Sequence, residues 1–124
     1  MGRNLSLPVI AKLDKTTQQT ISEYDFQVAV TKYAESEGWS VQYFRKSAAM
    51  GKDGRWRGLG NPGWPDVIAV RGPRMLAVEC KSERGTASPE QKEWLRLLSE
   101  IPGVETLIAK PRDAGDLMHR FSRP

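Results

Sequence analysis

Cysteine and histidine are nearly missing from this sequence, with one of each in 124 residues. Cys80 cannot form an internal disulfide, and no Cys/His spacing is present that would build a structural zinc site, so a reducing setting is expected. Long apolar runs are missing too. None approaches the roughly 20 residues needed to cross a bilayer, and the N-terminal segment lacks the apolar block of a signal peptide. These absences point to a cytoplasmic protein. Met1-Gly2-Arg3-Asn4-Leu5-Ser6 fits the short N-myristoylation pattern, but no polybasic or second lipid signal accompanies it, and chance explains the match. No internal repeat or low-complexity tract occurs.

What is present describes one folded domain. A chain of 124 residues with 39% apolar and 27% charged residues can build a single core and is too short for two. The net charge of +4 favours an anionic partner, although an excess this small does not identify one.

Residues 1–19 mix Pro8 with scattered polar residues and show no sustained period. They read as a loose arm, so we place the domain boundary at 1–21 and 22–124. From Ser22, residues Glu23, Phe26, Gln27, Val30, Tyr33 and Ala34 fall at helical spacing, with Gly38 at the stop. Both Thr20 with Glu23 and Ser22 with Asp25 are suitable capping pairs. Residues 39–44 read as a strand, and 45–63 as a basic, glycine-containing loop or irregular hairpin. After Pro65 comes the apolar run 66–70, as expected of a strand covered on both faces. Arg71-Gly72-Pro73-Arg74 turns the chain into a further strand, 75–81. Ser88-Pro89-Glu90-Gln91 opens a helix with a capping box, which Pro102-Gly103 ends near Ile101. A strand at 104–109 and a helix at 113–121, capped by Asp113, complete the order α-β-β-β-α-β-α. That order predicts an α/β fold, a mixed sheet with helices on its faces.

Side chains alternate along a strand, so Glu79 and Lys81 share one face while Cys80 points to the other. If the strands at 66–70 and 75–81 pair through the turn between them, Asp66 at the start of one meets Glu79 at the end of the other. Two adjacent carboxylates repel, and a hard divalent cation between them relieves this, with the Cys80 backbone carbonyl as a further oxygen ligand. Magnesium or manganese, as one or two ions, suits such a set; zinc does not. A phosphodiester resists nucleophiles because it is anionic, so a site must neutralise developing charge and present a water in line. Lys81 either orients that water or stabilises phosphate charge, and its proton role stays open.

Glu-x-Lys alone is far too short to be specific, and a solvated Glu79–Lys81 pair beside a turn residue Asp66 is its bland explanation. The combination is more demanding: Pro-Asp opens a buried strand, Glu-x-Lys closes the next, and a capped helix follows. Gly63-Trp64-Pro65-Asp66, Ala77-Val78-Glu79-Cys80-Lys81 and Ser88-Pro89-Glu90-Gln91-Lys92-Glu93-Trp94-Leu95 resemble the VRR-NUC nucleases of the PD-(D/E)xK superfamily. These are known from stand-alone phage proteins and from the catalytic domain of a eukaryotic DNA-repair nuclease. The similarity spans about residues 22–109. It implies a restriction-endonuclease-like core, Asp66 and Glu79 as metal ligands, and Lys81 as catalytic lysine. Glu23 matches the family's first-helix glutamate and Gln91 the glutamine after the catalytic strand. Helical spacing independently turns Glu23 inward with Phe26, Val30 and Tyr33, and Gln91 inward with Trp94, Leu98 and Ile101, although each is also suited to mere first-turn capping.

The expected function is therefore a magnesium- or manganese-dependent DNA endonuclease. By resemblance to the phage members it acts on branched DNA such as four-way junctions, as a homodimer making one cut per strand. Leu5, Leu7, Val9 and Ile10 of the arm are candidates for the interface. Alternatives are a monomeric flap or single-strand nuclease, an inactive nuclease fold that binds DNA or serves assembly, and a glycosidase using two carboxylates. Arg45, Lys46, Lys52, Arg55 and Arg57 with Trp56 form the densest basic stretch, suited to tracking phosphates and stacking on a base. Gly58-Leu59-Gly60-Asn61-Pro62-Gly63 matches G-x-G-x-x-G literally but lacks the strand before and the helix after that a dinucleotide site requires. His119 reads as a surface or capping residue, and Cys80 as a small buried hydrophobe.

Overall fold

The computed structural model describes residues 5–44 and 62–124. The basic stretch with Arg45, Lys46, Lys52, Arg55, Trp56 and Arg57, and residues 58–61 of the glycine motif, lie outside the described residues. Two short helices, α1 (Leu7–Lys12) and α2 (Lys15–Gln18), lead into α3 (Glu23–Ser36). Strands β1 (Ser40–Tyr43), β2 (Val67–Arg71) and β3 (Arg74–Cys80) follow. Then come α4 (Pro89–Ser99), β4 (Val104–Ala109), a 3₁₀ turn (Pro111–Asp113) and α5 (Ala114–Ser122). From α3 onward this is the expected order of major elements.

The strands form one mixed sheet in the order β1-β2-β3-β4. β1 and β3 run antiparallel to β2, and β4 runs parallel to β3. A two-residue turn at Gly72-Pro73 joins β2 to β3, with Arg71 opposite Arg74 and Gly72 at φ 58°. The antiparallel hairpin and the helical crossover to the parallel strand are what such loop lengths permit. Helix starts follow local chemistry. Ser22, not Thr20, caps α3, its Oγ accepting the Asp25 N–H at 3.0 Å. Ser88 and Gln91 form the expected capping box on α4.

The larger core layer lies between one sheet face and α1, α3 and α5, and contains Leu7, Ile10, Phe26, Val30, Val67, Leu76, Val78 and Phe121. The other face packs Ala77 against Leu95 and Leu98 of α4, with Ile68, Met75 and Trp64 partly buried around them. Ile101, expected to face inward with Gln91, is instead half exposed, because α4 ends at Ser99 and the chain turns away before its register continues.

The N-terminal segment corrects the sequence-based expectation of a loose arm. Ser6 caps α1, Pro8 sits in its first turn, and Leu7 and Ile10 are fully buried. Gln18, itself buried, donates its side-chain amide to the Ile10 carbonyl at 3.1 Å and ties α2 to α1. Leu7 and Ile10 are thus committed to the chain's own core and cannot serve an interface; Val9 is exposed and Leu5 half-buried. Asp113 also differs from expectation. Its carboxylate accepts the Lys110 N–H at 2.9 Å and makes no cap bond to α5, because the 3₁₀ turn intervenes.

At the hairpin-turn end, Arg71 and Arg74 stack over Trp39 at 4.7 and 5.0 Å and donate to carbonyls of the C-terminal residues. Glu105 sits among Arg74, Arg120 and Arg123, at 2.8, 3.2 and 2.7 Å. Burial opposes its charge, but the Arg74 hydrogen bond and the three arginine charges outweigh that and hold the carboxyl below its usual pKa. A depressed folded-state pKa stabilises the fold above the ordinary glutamate value, roughly 4.3, and that contribution is lost as pH falls through the folded value. Glu105→Gln should therefore flatten the acid limb of melting temperature against pH. An unchanged acid limb would remove Glu105 from the acid response.

Among the described residues, no helix is long and apolar enough to cross a membrane.

Candidate functional site

The hairpin brings the expected acids together. Val67 is opposite Val78, so the next pair outward along the ladder is Asp66 with Glu79. Asp66 is held from the other side of the hairpin, where the Cys80 N–H donates to its Oδ2 at 3.1 Å. Glu79 lies in the central strand between Val78 and Cys80, with no exposed surface; Asp66 is 2%, Lys81 7% and Gln91 9% exposed. Four buried polar or charged side chains in a domain this small are costly unless each is bonded to a partner.

Those partners are largely one another. Gln91 donates its Nε2 to Glu79 Oε2 at 2.8 Å. Its Oε1 accepts the Ser88 N–H at 2.8 Å. Capping and site binding are therefore one residue's two ends, not alternatives. The Lys81 ammonium lies 3.3 Å from Glu79 Oε2 and 3.9 Å from Glu23 Oε1. Glu23, first residue of α3 and about one-third exposed, thus joins the rim of the cluster through Lys81. The Cys80 thiol is buried in the opposite core layer. His119 is exposed on α5, where its backbone carbonyl takes the Arg123 N–H, and it contributes nothing to the site.

One participant was not singled out from sequence. Gln27, buried one turn after Glu23 on α3, donates its Nε2 to the Phe44 carbonyl at 3.0 Å and to the Asp66 carbonyl at 3.4 Å. It fixes the backbone on which the Asp66 carboxylate is mounted. The signal was available, since a glutamine four residues after Glu23 shares its helix face. A core-facing polar residue on α3 needed a reason that apolar periodicity does not supply.

The approach to Asp66 is clamped against α4. Trp64 meets Trp94 edge to face, with centroids 5.1 Å apart. Gly63 has φ +92°, and a Cβ there would come within 2.6 Å of the Glu90 backbone. Both facts demand glycine. Gly63→Ala is expected to cost about 2 kcal/mol or more, through backbone strain and displacement of the 62–65 loop. Urea denaturation measures it, and wild-type stability would show that loop and helix are not in fixed contact.

The donor set decides which metals suit the site. Asp66 and Glu79 offer only hard carboxylate oxygens, and among the described residues no group of three or more His, Cys, Asp or Glu side chains could hold an ion. Magnesium is commonly bound by one or two carboxylates, with waters and a substrate phosphate filling the remaining positions, and two buried acids fit that habit. Comparison with protein-family models, curated proteins and solved structures finds no match to this chain.

Proposed function

We propose that this chain is a magnesium- or manganese-dependent deoxyribonuclease with a restriction-endonuclease-like core, of the VRR-NUC kind that its motifs resemble. The observation carrying the proposal is the buried cluster of Asp66, Glu79, Lys81 and Gln91 at the open end of the β2–β3 hairpin. A structural ion pair would need one acid and one cation. Here a second buried carboxylate, Asp66, is placed beside the Glu79–Lys81 pair by the strand register, leaving a net negative charge that a bound divalent cation would relieve.

In this proposal Asp66 and Glu79, with the Cys80 carbonyl, would hold the cation. When bound, it would supply Lewis-acid stabilisation of phosphate charge and an activated water. Gln91 fixes the rotamer of Glu79 through the 2.8 Å hydrogen bond. Lys81, held between Glu79 and Glu23, presents a positive charge to an entering phosphate. Gln27 keeps the Asp66 backbone in place.

Branched DNA is the proposed substrate, and two copies acting together would give one cut on each of two strands. Of the apolar N-terminal residues, only Val9 and the half-buried Leu5 remain at the surface to help such pairing. The test is cleavage of labelled junction, flap, duplex and single-stranded DNA by nuclease-free protein, with and without magnesium, alongside light scattering. Junction cutting that requires magnesium supports the proposal. Intact DNA under every condition would overturn it.

A further inference from the structure

Between α3 and the edge strand β1 lies a cleft of about 380 Å³. Tyr24, Gln27, Thr31 and Glu35 line it at helical spacing, with Lys32 beside them and Tyr43 entering from the end of β1. Three features point to a planar, partly polar occupant. Tyr24 and Tyr43 are each 49% exposed, although a tyrosine ring ordinarily covers most of its apolar surface. Thr31 is 6% exposed, lines the cleft, and its Oγ1 is buried with no hydrogen-bond partner among the described residues. Such a hydroxyl costs stability unless something satisfies it. Gln27 is among the lining residues and its side-chain amide donates to the Asp66 carbonyl, which links the cleft to the backbone that carries the proposed metal ligand.

We infer that this cleft receives one unpaired nucleobase of the DNA strand being cut. The inference rests on the nuclease proposal for the path of the strand. Tyrosine faces stack on any base, because every base has a π surface. A change of χ1 rotamer, which a helical threonine allows, turns the buried Thr31 hydroxyl, both donor and acceptor, to the polar edge of the base. Lys32 takes a neighbouring phosphate, while the Glu35 carboxylate repels phosphate and suits an exocyclic amino group. An intact duplex keeps its bases stacked and cannot fill such a cleft, so the site selects strands with a loose base. Branch points and flaps provide one.

The experiment uses the full chain without magnesium, in EDTA, with a short single-stranded deoxyoligonucleotide carrying one 2-aminopurine. Stacking on tyrosine should quench its fluorescence on binding. Tyr43→Phe should keep the quench, and Tyr43→Ala should weaken binding roughly tenfold. Thr31→Val, which keeps shape and removes the hydroxyl, should weaken it about threefold. Wild-type affinity in both Tyr24→Ala and Tyr43→Ala, or equal quenching with a fully paired duplex, would overturn the inference. Protein that cuts DNA with magnesium but never quenches the probe would overturn the cleft and leave the nuclease proposal standing. Protein that quenches with the expected tyrosine dependence but never cuts would do the reverse.

Discussion

Asp66→Asn and Glu79→Gln should each lower magnesium-dependent DNA cleavage by roughly a thousandfold or more, since a catalytic metal contributes several kcal/mol and each 1.4 kcal/mol is a factor of ten. Both exchanges are near-isosteric. In Asp66→Asn the new amide oxygen can still accept the Cys80 N–H that Asp66 Oδ2 accepts now, so the hairpin should stay closed. Lys81→Ala separates the roles further: cleavage should fall while manganese affinity persists, because the lysine neighbours Glu79 without being a ligand. Circular dichroism controls for folding, and titration with manganese reads the metal. Full cleavage by either carboxylate variant would remove that residue from the mechanism, and unchanged cleavage by Lys81→Ala would remove the lysine.

The second large effect lies far from any chemistry. Ile10→Ala should destabilise the domain by about 2–5 kcal/mol, the usual range for truncating a fully buried aliphatic side chain. Against a total stability of order 5–15 kcal/mol this is a large fraction. Val9→Ala, one residue away and 45% exposed, should change stability by less than about 0.5 kcal/mol. A loose arm would make both changes silent, so equal stability of the two variants by urea denaturation would reinstate it.

These two predictions mark where sequence was informative and where it was not. The strands and the acid pair were legible because their signals are short-range: alternation along β3, a two-residue turn, and a capping box at Ser88. The register that sets Asp66 opposite Glu79 follows from the length of that turn. The helices α1 and α2 were not legible, because six and four residues show too little of a helical period to stand out. Pro8 there resembles a breaker, yet in a first turn it costs no hydrogen bond. Gln27 was missed for a different reason. Its place on the Glu23 face marks it as inward, but its partners, Phe44 and Asp66, are 17 and 39 residues away, and a local pattern does not identify them.

The hairpin has a consequence for how the domain comes together. Both acids stand on one pair of strands joined by Gly72-Pro73, so a short closure brings them face to face. The parallel pairing of β3 with β4 needs the whole α4 crossover and closes later in a topology-limited chain. Gln91 rides on that crossover. If contacts form in order of their separation along the chain, the two negative charges meet before Gln91 arrives. If the chain is the proposed metal-dependent nuclease, a divalent ion present during refolding should bind the early hairpin and speed its capture.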